Sequence, residues 1–232
     1  MMKIAENVNV YWSSLHETVE FDNLYNLFNE HYQNISSTNR RQNLLLCPAV
    51  SHKLKNTFFI KTPVDCEYSI KDNNIVPLTK DFIATEIPHQ PSLKNNFLFC
   101  LGLYYIFFTR IDMNMTLTSP FFSQCYYTRY ANIVPGTINV SKWFRRINLE
   151  FNCYGDTIKF KKGDPLAYFT FDTDKRVNLR RFHMSKKLDT LSSTCEKSSG
   201  WEKWVPLYNR YKRFMKSRTD KIVYREIQKN LL

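Results

Sequence analysis

Apolar and polar positions alternate most regularly between residues 146 and 153. Ile147, Leu149 and Phe151 fall on one side there, and Asn148, Glu150 and Asn152 on the other. A period of two marks a strand with one buried face. Residues 157–161 and 166–171 read as two more short strands, rich in β-branched and aromatic side chains. Turn residues punctuate them: Pro135-Gly136, a hairpin-type Tyr154-Gly155-Asp156, and Lys162-Gly163-Asp164. Upstream, residues 3–12 alternate at Ile4, Val8, Val10 and Trp12. Residues 57–62 and 67–71 read as a strand pair about Pro63-Val64-Asp65, and Asp72-Asn73-Asn74 turns the chain again. Residues 97–109 form the longest apolar run, too short for a membrane helix and suited to a buried central strand. Residues 112–118 follow as a second central strand, and 176–182 close the β region.

Other spacings interrupt this pattern. Leu24, Leu27, Phe28 and Tyr32 recur at helical intervals. Residues 34–43 are polar and loop-like, Pro48 ends a strand at 44–49, and Pro77, Pro88 and Pro91 make 77–93 a covering loop. Residues 186–200 are rich in Ser, Thr and Lys and read as a linker. Beyond it Trp201, Trp204, Tyr208, Tyr211 and Met215 recur at three and four residues, widened by Val205, Leu207 and Phe214, with basic residues opposite. The prediction is a mainly β fold, an antiparallel β-sandwich or barrel of jelly-roll kind, with a C-terminal amphipathic basic helix. A β domain spans 1–183, a linker 184–200, and a helical tail 201–232 packs on or beside the β domain, because two exposed tryptophans would be costly.

Charge sharpens the picture of the tail. The formal net charge is +12, and residues 174–232 hold 16 Lys or Arg against 6 Asp or Glu, so +10 of it lies there. Such a segment suits a polyanionic partner. Arg210, Lys212, Arg213, Lys216 and Arg218 are the candidate nucleic-acid contacts, with nearby tyrosines stacking on bases. The chemistry of catalysis is sparse. His16, His31, His52, His89 and His183 are scattered, the six cysteines form no CxxC pair, and no phosphate-cradling glycine loop or GxSxG elbow occurs. No cofactor and no metal are expected. No apolar leader opens the sequence, and reduced, mostly buried thiols in a cytoplasm are the simplest account of the cysteines.

Two resemblances add to this reading. Gly136-Thr137-Ile138-Asn139, then 147–152 (INLEFN) and 158–171 (IKFKKGDPLAYFTF), resemble the turn, strand and final hairpin of the dUTPase and dCTP deaminase superfamily. That likeness implies a dUTPase-like fold, a trimer and nucleotide chemistry, with Glu150 at the deaminase glutamate. The sequence departs from the family where chemistry happens. Asn139 replaces the aspartate that positions water, and an amide is no base. No arginine follows Ser119 or Ser123 at the family's spacing, Tyr168 replaces a glutamine, and Trp143-Phe144-Arg145-Arg146 replaces a glycine.

The whole chain also resembles an uncharacterised protein family of marine tailed phages, of cyanophage and pelagiphage type. The shared segments are Cys47-Pro48-Ala49, Lys55-Asn56-Thr57-Phe58, 133–136, 142–145 and 162–168, in that order. This implies a viral origin, in the host cytoplasm or the virion, and points to no particular activity. The expectation is therefore a non-catalytic binding or assembly module. It engages a protein partner, copies of itself, or nucleic acid, and no membrane. A divergent dUTPase-like enzyme with Glu150 is the alternative. Arg145 and Arg146 join the tail cations as candidate binding residues.

Overall fold

A computed structural model describes residues 7–14, 24–33, 47–71, 74–80, 85–86, 97–196 and 207–232. The chain runs β1 (Asn7–Ser14), β2 (Tyr25–Asn26), α1 (Leu27–Gln33), α2 (Pro48–Lys55), β3 (Thr57–Lys61), β4 (Cys66–Lys71), β5 (Asn74–Pro77), β6 (Thr85–Glu86), β7 (Phe97–Phe108) and β8 (Asn114–Thr118). It continues through β9 (Ala131–Ile133), β10 (Gly136–Asn139), β11 (Ile147–Cys153), β12 (Thr157–Phe160), β13 (Pro165–Phe171) and β14 (Arg176–Arg181). Three helices follow: α3 (Lys186–Glu196), α4 (Leu207–Lys216) and α5 (Thr219–Lys229). The fold is mainly β. Its sheets run β14-β1-β7-β11-β9 with β6 on β7, then β10-β8-β13-β3-β2, then β12-β4-β5, and none closes into a barrel.

One core joins all three sheets. Val8, Val10 and Trp12 of β1, Phe99 to Phe107 at alternate positions of β7, and Leu149 and Phe151 of β11 meet Phe58, Met115, Phe169 and Phe171 of the second sheet and Tyr68 and Phe160 of the third. The expected inward set of β11 is the buried one: Ile147, Leu149 and Phe151. The long apolar run at β7 has a specific cause. Its odd positions face this core, while Ile106 and Phe108 point the other way into a second core with Phe144, Phe182, Leu188, Phe214, Val223 and Ile227. The helices thus cover the outer face of the first sheet, and that half of β7 is buried on both sides.

Several expectations are corrected. β3 and β4 form, but they do not pair with each other: β3 lies between β13 and β2, and β4 between β12 and β5. Pro63-Val64-Asp65 is a corner between sheets. It is tied to the turn at 162–164, where Thr62 N–H donates to the Asp164 carbonyl (2.8 Å), Gly163 N–H to the Thr62 carbonyl (2.9 Å) and Lys162 N–H to Asp65 Oδ1 (2.8 Å). By the same logic Tyr154-Gly155-Asp156 joins β11 in the first sheet to β12 in the third, and the segment likened to a final hairpin splits β12 and β13 between sheets. Among the described residues one strand pair is parallel: β1 with β14. A parallel pair needs a long crossover, here everything in between.

The helices differ as well. Pro48 opens α2 at a position where its missing N–H costs nothing, rather than ending a strand. The linker expected at 184–200 carries α3, and residues 197–200 lie outside the described residues. The expected tail helix is divided into α4 and α5 at Ser217 and Arg218, where Arg218 takes a left-handed conformation (φ 56°). Trp201 and Trp204 lie outside the described residues. Phe214 faces inward, and Met215, expected on the apolar stripe, is exposed. The end of the chain is pinned to the sheet: Leu231 bridges Phe182, His183 N–H donates to the Asn230 carbonyl (2.8 Å), and Leu232 N–H to the Arg181 carbonyl (3.1 Å).

Candidate anion-binding site

Residues 140–146 connect β10 to β11 and are held from both ends. Asn139 Oδ1 accepts from the Ser141 N–H (3.1 Å) and hydroxyl (2.6 Å), and its amide donates to Asp112 and Asn114. Lys142 Nζ pairs with Asp112 at 3.0 Å. The Asn139 amide and Lys142 together hold the Asp112 carboxyl below the usual carboxylate range. Asn139 is thus the keystone of a turn. Phe144 inserts into the second core, edge-on to Phe108 with centroids 5.9 Å apart.

With Phe144 inside, its neighbours flank α4. The Trp143 ring lies 4.4 Å from that of Tyr211, and the Arg145 guanidinium sits 5.0 Å from the Trp143 centroid, within cation–π range. Arg146 Nη2 is 3.5 Å from Asp189 Oδ1 of α3. Arg210 precedes Tyr211, and its charge also acts on that hydroxyl. Burial pushes the Tyr211 phenol above its ordinary range, more than the Arg145 guanidinium pulls it down. That guanidinium acts on the hydroxyl by its charge and by its close approach as a donor.

Trp143 Nε1 and Arg145 Nε are buried with no acceptor among the described residues. A buried donor without a partner costs about 1–3 kcal/mol. Guanidinium charge beside a stacked indole and phenol forms an environment suited to an anion.

The structure therefore joins two predicted groups: Arg145 and Arg146 from the β region, and Arg210 from the tail. Lys212, Arg213, Lys216 and Arg218 are exposed on the outer side of α4 and its junction with α5. Glu150 is exposed on β11, opposite Cys100, on the face away from Leu149 and Phe151. Tyr168, at the family's glutamine position, is buried, with its hydroxyl 3.2 Å from Ser123 Oγ. No protein-family model matches the chain, and neither does any curated protein. Among the described residues no three His, Cys, Asp or Glu side chains are placed to share a metal ion, and no helix is long and apolar enough to cross a membrane.

The sequence reading missed the role of Asn56. Its Nδ2 donates to the carbonyls of Thr173 (2.9 Å) and Lys175 (2.7 Å), and its Oδ1 accepts from Val177 N–H (3.0 Å). It clamps the β13–β14 connection to the start of β3, beside a cleft that no sequence motif marked. The one available signal was Asn56 within Lys55-Asn56-Thr57-Phe58.

Proposed function

We propose that this protein is a non-catalytic binding module of tailed-phage origin, an antiparallel β-sandwich whose amphipathic basic helices engage a polyanion, best matched by the phosphate backbone of nucleic acid. The observation that carries this reading is the cluster of Arg145, Arg146 and Arg210 gathered around the stacked Trp143 and Tyr211 rings. The exposed cations of α4 extend the same charge outward. The phage resemblance supports the viral origin, and its shared segments coincide with structural fixtures: Asn56, Phe144, Gly163 and Asp164. A dUTPase-like enzyme is less well supported, because Asn139 is engaged in a turn and Glu150 lies exposed on a strand.

Fluorescence anisotropy with labelled single-stranded and duplex oligonucleotides tests the reading. Affinity should fall with salt, each duplex phosphate contact adding about 0.9 to the log–log slope. Arg145→Ala should weaken binding and lower that slope by about one contact. Affinity independent of salt would refute the proposal. Mass spectrometry of purified particles separates a virion component from an accessory protein. A trimer by light scattering, stabilised by nucleotides in thermal shift, would favour the enzyme instead.

A further inference from the structure

Two cavities open beside Asn56, with linings separate from the Trp143 group. The larger, about 600 Å³, is lined among others by Asn7, Asn29, Lys55, Arg176 and Phe28. The second, about 500 Å³, is lined by Thr116, Thr118, Thr170, Lys53 and Phe121. They share His52 and Asp174 as a common wall. Each volume lies in the range of small-ligand sites.

The walls are held in place from several directions. The Asn56 amide fixes the backbone at 173–177. Parallel pairing sets Asn7 opposite Arg176. In the second cavity Thr170 is registered between Thr57 and Thr116, with 2.9 Å between the Thr57 and Thr170 hydroxyls. Thr116 in turn meets the Thr137 hydroxyl at 3.1 Å. The groove is therefore formed before any ligand arrives.

We propose that these two adjacent cavities together bind an acidic oligosaccharide that crosses the shared rim of His52 and Asp174. Besides Asn56, whose amide is spent on backbone, their polar lining carries the Asn7 and Asn29 amides and the Thr116 and Thr170 hydroxyls, groups that both donate and accept, as sugar hydroxyls do. A carboxylate alone only accepts, and inorganic phosphate brings few P–OH donors, so neither matches such a lining as fully as a row of sugar hydroxyls. Phe121 is 49% exposed at the second cavity, with Lys53 Nζ 5.7 Å from its ring centroid. With the ammonium over the ring, Phe121 offers an exposed apolar edge and a charge to a sugar that carries a carboxylate. Lys53, Lys55, Lys175 and Arg176 outnumber Asp172 and Asp174 around the groove, which selects an acidic chain over a neutral one. Two chambers with a shared wall provide room for more than one ring.

Isothermal titration of the whole protein with hexagalacturonate, with maltohexaose as the neutral counterpart and inorganic phosphate as a bare anion, tests the assignment. Hexagalacturonate should bind at least tenfold more tightly than maltohexaose, and equimolar phosphate should not displace it. Arg176→Ala and Phe121→Ala change exposed side chains. Each should weaken binding about tenfold while the melting temperature stays within a few degrees. Three results would overturn the proposal: no heat with either oligosaccharide, phosphate binding as tightly as hexagalacturonate, or affinity unchanged in both variants.

Discussion

Asn56 uses both amide N–H donors and its carbonyl on backbone groups 117 to 121 positions away. Asn56→Ala removes all three bonds and strands buried backbone groups, so a loss of about 2–3 kcal/mol is expected, read as a lower urea midpoint. Two left-handed residues allow a paired test of opposite sign. Gly163 has φ +87°, and a Cβ there meets nothing within 4 Å, so Gly163→Ala should cost about 1 kcal/mol from backbone strain alone. Arg218 holds φ 56° with a full side chain, and Arg218→Gly should stabilise by up to about 1 kcal/mol. Thermal melts of the two variants should move in opposite directions.

At the scale of elements, the second core decides whether the helices stay on the sheet. Phe144 reaches it from the β10–β11 connection, while Phe214, Val223 and Ile227 reach it from α4 and α5. Phe144→Ala should cost about 3–5 kcal/mol. By hydrogen exchange, amides of α4 and α5 should lose protection before those of β7, whose inner face keeps its own core. The alternation of β11 was readable in the sequence because one face of that strand is buried along its whole length. The corners were not, since hairpins and sheet crossings use the same residues. The choice at Pro63-Val64-Asp65 was made by bonds to residues about a hundred positions later. Helix α3 was hidden by polar composition, yet Leu188 and Cys195 bury one face of it, and the Thr190 and Thr194 hydroxyls return to carbonyls a turn earlier. Likewise Arg145 and Arg146 stood out beside Trp143, but nothing in their spacing foretold Tyr211 as their neighbour.

Taken whole, the molecule encloses five of its six thiols. Cys66, Cys100, Cys125, Cys153 and Cys195 are buried and Cys47 is exposed. Burial pushes Cys125 and Cys153 up to about 12. A maleimide at pH 7 should label one thiol in the native protein and all six in denaturant. The raised thiols also set the sign of an alkaline effect. Their contribution to stability is complete below the ordinary thiol range, about 8.5, and is lost as pH rises toward 12, because the unfolded chain ionises first. The urea midpoint should therefore fall between about pH 9 and pH 11, and less so in Cys125→Ala or Cys153→Ala measured against its own value at pH 7.

The pairing of β1 with β14 sets a clock on synthesis. Asn9 and its partner Asn178 are 169 positions apart. At about 5–20 residues per second, the ribosome needs roughly ten to thirty seconds to travel between them. Throughout that interval one edge of β1 has no strand to dock against, although Val8, Val10 and Trp12 have already left the exit tunnel. Strand β1 is made early, yet this edge is among the last to be satisfied. A chain that stops short of residue 176 would leave that edge open to other nascent chains.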